Sequence, residues 1–509
     1  MFNMSGETVH NINKVIRLAS SQTKVLARLS AEGVEIKRVL KAGAVSKVLT
    51  HEVLEGSIMV GGLIENSVMF LDKDGMVRQM EGTSEFNLKI DDRAIDIECA
   101  VVFSKAVVVS SEFRLESDSV VSIEIVVETE MFINKKHQIK TNIVSDDKCF
   151  VKSEKTEIPT VRAVSRKESN LELIIKTKEE AKQILEVSTK AFIKDVVFKG
   201  GNLFAIGEIY SKVSFLTNDE TSELKTVYDE AEFEEELMNL ESAQFASGDA
   251  QVEVVSTSGS VSAREISIRT NIRIDYVVFE NKELNLALDA YSTAANLNLG
   301  LDTTVLEVLR FSQNFKDEIN STVTLKVKPD HKAKVNSVIE KNITAINAWT
   351  KDRECFVEGL ASFSVIYDEI TPDMEHKELT SVEVELPFSL SFREPQAIEG
   401  DKLRVSVSFK STDIKQLRGE EAEISSYLNF FVGVYRTEEH VHLSSVTVDE
   451  AVEQEHMALT LYIATGGDDL WAIAKKLRVD PAIVVSQNPE CESEIKTGQQ
   501  LTIFRQRNV

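Results

Sequence analysis

The residues best placed to do chemistry are His440 and His442, flanked by Glu438 and Glu439. Alternate residues of an extended chain share a face, so the two imidazoles would stand together and could ligate a metal with a neighbouring carboxylate. A second reading starts from their surroundings. Glu438, Glu439, Asp449, Glu450, Glu453 and Glu455 fall in residues 438–457, which contain no lysine or arginine and few large apolar side chains. That composition predicts an acidic tether that lets the segment after it swing and is cut first by proteases, and this reading is preferred. No GxSxG elbow, phosphate-binding glycine loop or HExxH pair occurs. Cys99, Cys149, Cys355 and Cys491 are far apart, match no zinc spacing, and read as buried thiols of a reducing compartment. The expectation is a protein with no catalytic residues, cofactor or metal.

Charge narrows the partners. A net −25 over 509 residues, spread along the chain, argues against nucleic acid and anionic membranes. The densest acidic run, Asp229, Glu230, Glu232, Glu234, Glu235, Glu236 and Glu241, reads as a solvated face, with calcium or a basic partner as the alternative. No apolar run reaches the roughly 18 residues of a membrane span, so no membrane insertion is expected. Residues 1–29 lack the basic-then-apolar order of a secretory signal, so retention in a cytosol is expected.

The elements that could position a binding site are clearest near the C-terminus. Residues 460–463 alternate as a short strand. Leu470, Trp471, Ile473, Ala474 and Leu477 then form one helical stripe, with Asp468 placed to cap it. Asp480-Pro481 repeats a helix-start signal and Asn488-Pro489 a stop. After Gly498, residues 501–504 read as a second strand, giving the order strand, helix, helix, strand. Trp471, Ile473 and Leu477 are expected to fill the core of this unit.

This segment resembles a LysM module in its Tyr-containing strand, its Gly-Asp-x-Leu-Trp-x-Ile-Ala run at Gly467–Ala474, its Asn488-Pro489 pair and its closing Gly498-Gln499-x-Leu501-x-Ile503. The resemblance implies a groove that grips N-acetylglucosamine polymers. Its sides would be Gly467, Asp468, Asp469 and Leu470, facing Asn488, Pro489, Glu490, Cys491 and Ile495. Asp469 stands where many glycan-binding members carry a hydroxyl residue, and Phe504 replaces a closing proline.

Upstream, the chain repeats itself. Gly62, Val68 and Phe70 match Gly207, Val213 and Phe215, and again Gly359, Val365 and Tyr367, at glycine separations of 145 and 152 residues. Even spacings put each trio on one face of a strand, with glycine where chains approach closely. A further phenylalanine follows each block: Phe86, Phe233 and Phe388. Each copy also carries strongly alternating segments, such as Val121 to Val127, Ile266 to Tyr276 and Leu428 to Val434, which predict antiparallel sheet and a sandwich. Residues 179–187 and 228–243 look helical by composition yet align with extended segments of the sister copies, leaving helix and strand both open.

The triple pattern resembles the SPOCS domain of spore-coat proteins, also catalogued as a domain of unknown function. Three copies ahead of one LysM module resemble the architecture of clostridial spore-coat morphogenetic proteins. The expected fold is mainly β: three tandem β-sandwich-like domains at residues 1–150, 151–296 and 297–437, the acidic linker 438–457, and a small βααβ LysM domain at 458–509. The resemblance implies a non-enzymatic adaptor in the mother cell at the forespore surface. Its LysM module would dock on the coat's basement-layer ATPase, and its β-domains would recruit other coat proteins or act as spacers. Peptidoglycan or N-acetylglucosamine oligomers in the same groove are the alternative ligand.

Overall fold

A computed structural model describes residues 7–142, 148–218, 224–239, 245–372, 377–451, 459–492 and 495–504. The first copy contains strands β1 (Glu7–Arg17), β2 (Ser21–Ser30), β3 (Ile36–Leu54), β4 (Ser57–Asp72), β5 (Val77–Asp91), β6 (Ala100–Ser117) and β7 (Val120–Asn142). The second runs β8 (Cys149–Lys176), β9 (Ala181–Lys199), β10 (Asn202–Thr217), β11 (Leu224–Asn239), β12 (Phe245–Ser262) and β13 (Glu265–Ser292). The third runs β14 (Ala295–Thr324), β15 (Lys332–Lys351), β16 (Glu354–Ile370), β17 (Lys377–Arg393), β18 (Lys402–Gln416) and β19 (Glu421–Ala451). Each copy has one antiparallel meander, β3-β4-β5, β9-β10-β11 or β15-β16-β17. Its last strand pairs with the first and the penultimate ones, as in β8-β13-β12 and β14-β19-β18. In the first copy both β1 and β2 lie along β7.

The alternation seen in the sequence is what closes the two sheets on each other. Along β7 the residues Val121, Ile123, Ile125 and Val127 are fully buried and meet Ile64, Val68 and Phe70 of β4. In the third copy Leu428, Phe430 and Val432 meet Phe363, Val365 and Tyr367 in the same way. The repeat motif has a direct packing cause. Gly62 pairs with Phe86, Gly207 with Phe233 and Gly359 with Phe388 across neighbouring strands. A Cβ on these glycines would lie within 2.2, 2.3 and 2.4 Å of the facing ring, so each phenylalanine lies over a glycine that leaves room for it.

Both ambiguous segments are strands. Residues 181–187 belong to β9, and 228–239 to β11, an edge strand of its sheet. Phe233 and Leu237 of β11 point inward, while Glu232 and Glu234 point to solvent and pair with Lys194 and Lys199. The helix-like composition is therefore that of a charged edge strand, which resists pairing with other chains. Residues 240–244, including Glu241, lie outside the described residues.

The expected tether is also overturned. Residues 438–451 continue β19, a strand of 31 residues, and pair with 295–306 of β14. The few apolar residues there suffice because Leu443 and Val446 are buried against Ala287 and Ala290 of the second copy. The backbone ladder with β14 supplies the rest. Residues 452–457, the remainder of that expectation, lie outside the described residues.

Each copy touches the other two. Thr160 of the second accepts from the Asn13 backbone N–H of the first at 2.7 Å. Glu208 of the second, almost fully buried, receives Lys194 from its own sheet together with Lys316 and Lys410 of the third. The first and third meet through Lys105, whose Nζ donates to Ser406 Oγ at 2.7 Å. Part of this interface recurs from copy to copy. Arg273 of the second reaches the Val48 carbonyl of the first, and Asn314 of the third reaches that of Ile193 in the second. Val48 and Ile193 each stand opposite a motif glycine, Gly62 and Gly207. Where β6, β12 and β18 converge, the Arg404 guanidinium lies 4.6 Å from the Phe103 ring and 4.8 Å from that of Phe431. It also pairs with the buried Asp249 at 2.8 Å, which accepts from Tyr435 Oη at 2.8 Å.

Candidate docking site

The C-terminal unit is built as β20 (Leu459–Ile463), α1 (Leu470–Leu477), α2 (Pro481–Gln487), a 3-10 turn (Pro489–Glu492) and β21 (Gln500–Phe504), with β20 and β21 antiparallel. The start of α1 is capped by Asp469, whose side chain accepts from the Ala472 N–H, and not by Asp468. Asp468 instead ties the entry loop: its Oδ2 accepts from the Thr465 N–H, the Thr465 hydroxyl and Tyr462 Oη. These bonds hold its carboxyl below the usual range, the backbone bond from Thr465 contributing most. Asp480 caps α2 with Pro481 in its first turn, as the Asp-Pro signal predicts.

Apart from Asp468, which ties the entry loop, the residues expected to form a groove divide into three groups. Asn488 and Cys491 are buried and hold the unit together. Asn488 Nδ2 donates to the carbonyls of Val484 and Thr502, and its Oδ1 accepts from the Thr502 N–H. Ile495 packs beside Cys491, Tyr462 and Ile473. A second group, Gly467, Pro489 and Glu490, is exposed. The loop that carries Gly467 is joined to the 496–499 turn by the Gly498 N–H to Ala464 carbonyl bond, 2.7 Å long. Gln499 Nε2 then reaches Cys491 Sγ, so the turn before β21 bridges the entry loop and Cys491.

The third group faces the second copy. Asp469 pairs with Lys152 at 3.2 Å, and Leu470 packs in a cluster with Phe150 and Tyr291. Trp471, expected in the unit's own core, is a contact residue. Its Nε1 donates to Asp289 Oδ2 at 2.8 Å, and its ring stands edge-on to Tyr291, centroids 5.0 Å apart. Lys475 Nζ lies 2.6 and 2.8 Å from the two Asp289 oxygens, and Tyr291 Oη donates to the Val479 carbonyl at 2.6 Å. Burial raises the Asp289 carboxyl, but the hydrogen bonds from Lys475 and Trp471 together outweigh it and hold the group below its ordinary value. Sequence reasoning missed Asp289, Tyr291 and Lys152. Asp289 and Tyr291 lie beyond the alternating segment that the sequence marks, which ends at Tyr276. The one available signal was an aromatic and an acid in a segment that closes its sheet.

The structure places the two histidines apart in burial and environment. His442 is buried, and His440 lies 3.8 Å from Glu438. Burial, then the nearby His442, lowers the His440 imidazole below its ordinary value. Among the described residues, no group of three or more His, Cys, Asp or Glu side chains is arranged to hold a metal. All four cysteines are thiols. Among the described residues, no helix is long and apolar enough to cross a membrane.

Among the described residues of the unit, the most exposed apolar side chains lie on the sheet face turned away from its helices. Leu459, Leu461 and Ile463 are 52, 60 and 55% exposed, and Phe504, opposite Leu459, is 55% exposed. The chain matches no family model, no curated protein and no solved structure.

Proposed function

We propose that this chain is a non-enzymatic, SipL-like adaptor of the spore coat. Its C-terminal unit, a LysM module, docks on the coat's basement-layer ATPase, and its three SPOCS-like domains hold that module at the forespore surface inside the mother cell. The coat setting rests on the resemblance of the tandem copies and terminal module to coat morphogenetic proteins. The observation that carries docking is the outward face of β20 and β21. Four large apolar side chains, each more than half exposed on so small a unit, suit a protein partner that buries them. The contacts of Trp471 and Lys475 with Asp289 support a module presented in a fixed pose.

A second reading keeps its own observation: Gly467, Pro489 and Glu490, which the LysM resemblance assigns to a glycan groove, are exposed, as a surface that meets an N-acetylglucosamine polymer must be. The test is binding of the full chain to the purified ATPase and, side by side, to peptidoglycan sacculi. Docking on the ATPase should be lost in Leu461→Glu and kept in Glu490→Gln. Retention on sacculi alone, sensitive to Glu490→Gln, would reverse the assignment.

A further inference from the structure

The two-stranded sheet of the terminal module has two outer edges, and they are treated differently. On β21, the Thr502 N–H and carbonyl are taken by the Asn488 side-chain amide. Those of Phe504 are taken by the Gln487 amide. One edge is thus closed by two side chains that imitate a neighbouring strand.

That closure fixes the other edge. Because Thr502 and Phe504 turn their backbone groups away from β20, the pairs Leu461↔Thr502 and Leu459↔Phe504 are the non-hydrogen-bonded pairs of the ladder. Their partners on β20 must also point their N–H and carbonyl groups outward, and Ile463, opposite Gln500, shares that parity. The bonds of Ala464 with Gln499 and Gly498 agree, since they place the even-numbered residues on the β21 side. Among the described residues, nothing pairs with the outward backbone groups of Leu459, Leu461 and Ile463. The same three residues carry the exposed apolar side chains.

We infer that the open edge of β20 is a strand-addition site, which takes an extended segment of a partner protein as a third strand of this sheet. The occupant is set by the chemistry displayed. A row of unpaired N–H and carbonyl groups is matched only by another extended backbone. The adjoining apolar face selects a segment about as long as β20 with apolar side chains at alternate positions. A sugar polymer offers hydroxyls to such an edge but no matching ladder, and an amphipathic helix would cover the face and leave the edge unpaired. Native sheets normally protect such edges, as β11 does here with its glutamates, so an unprotected one beside an apolar face marks a place for a partner.

This inference rests on the docking reading above, and one experiment separates their failures. The purified basement-layer ATPase is the probe and the full chain the receptor. Leu461→Thr removes the apolar side chain and keeps the N–H, whereas Leu461→Pro removes both, at an edge where the fold does not use that N–H. Leu461→Pro should weaken binding at least tenfold beyond Leu461→Thr. Hydrogen exchange of the β20 amides in the unmodified chain should slow when the ATPase binds, a readout that does not depend on how Leu461→Pro folds. Equal weakening by the two variants, or unchanged exchange on binding, would overturn strand addition and leave docking in place. No binding by the unmodified chain would overturn both.

Discussion

Removing Asp289 tests whether the terminal module is fixed to the second copy or merely lies beside it. In Asp289→Ala, the Trp471 indole N–H loses its acceptor in a half-buried contact, a loss of about 1 to 3 kcal/mol. The Lys475 side chain is 41% exposed and can return to water, so its ion pair adds at most about 1 kcal/mol. Docking should weaken by about 2 kcal/mol, roughly a 30-fold rise in the undocked population. Trp349 and Trp471 are the only tryptophans, so a Trp349→Phe background makes Trp471 the sole reporter. Its emission should shift to the red in Asp289→Ala as its ring leaves Tyr291, while the unfolding midpoint of the β-domains stays put. Asp289→Asn keeps an acceptor for the indole and should show a smaller shift. The pH dependence has a definite sign. A carboxyl held below its ordinary value contributes docking stability above that value, about 4 for aspartate, and loses it as pH falls through the depressed one. Emission should therefore be flat from about pH 8 to 5 and move only below about 4. Identical emission in all three proteins, or a transition near neutral pH, would refute the proposed role of Asp289.

Three further outcomes follow from packing. Gly359→Ala puts a methyl 2.4 Å from the Phe388 ring and should cost about 1 to 3 kcal/mol by chemical denaturation, with a neutral result refuting the glycine–aromatic account. Arg404→Ala leaves the Asp249 carboxylate, 1% exposed, without its cation; a loss of about 3 to 5 kcal/mol is expected, and Arg404→Met with Asp249→Asn should recover most of it. Asn488→Ala frees the Thr502 N–H and carbonyl and should lower the module's stability by about 1 to 3 kcal/mol, seen as faster amide exchange in β21.

Much of the architecture was legible because it is repeated and local. Period-two alternation in Val121 to Val127 and Leu428 to Val434 marks the buried faces of strands, and the glycine–aromatic spacing marks three related units by residue type alone. Helix starts at Asp480-Pro481 were readable because a cap is made within a few residues. Asp468 and Asp469 show the limit of that reading: both are acids at a helix start, and only the loop geometry decided that one caps α1 while the other ties Thr465 to Tyr462.

What the chain alone determined, then, is its β character, its threefold repetition and the order of the terminal βααβ unit, all consequences of side-chain periodicity and short-range hydrogen bonding. Tertiary structure decided the rest, since it depends on residues far apart in sequence. Residues 438–451 became a strand because β14 offered them a ladder, against the acidic composition that predicts a tether. Trp471 became a contact residue because Asp289 and Tyr291, some 180 positions earlier, stand beneath it. Among the described residues, Gln487 and Asn488 close the outer edge of β21, while no strand lies along that of β20. Hydrophobic pattern tells a residue to leave water; only the folded neighbours determine which surface it leaves water for.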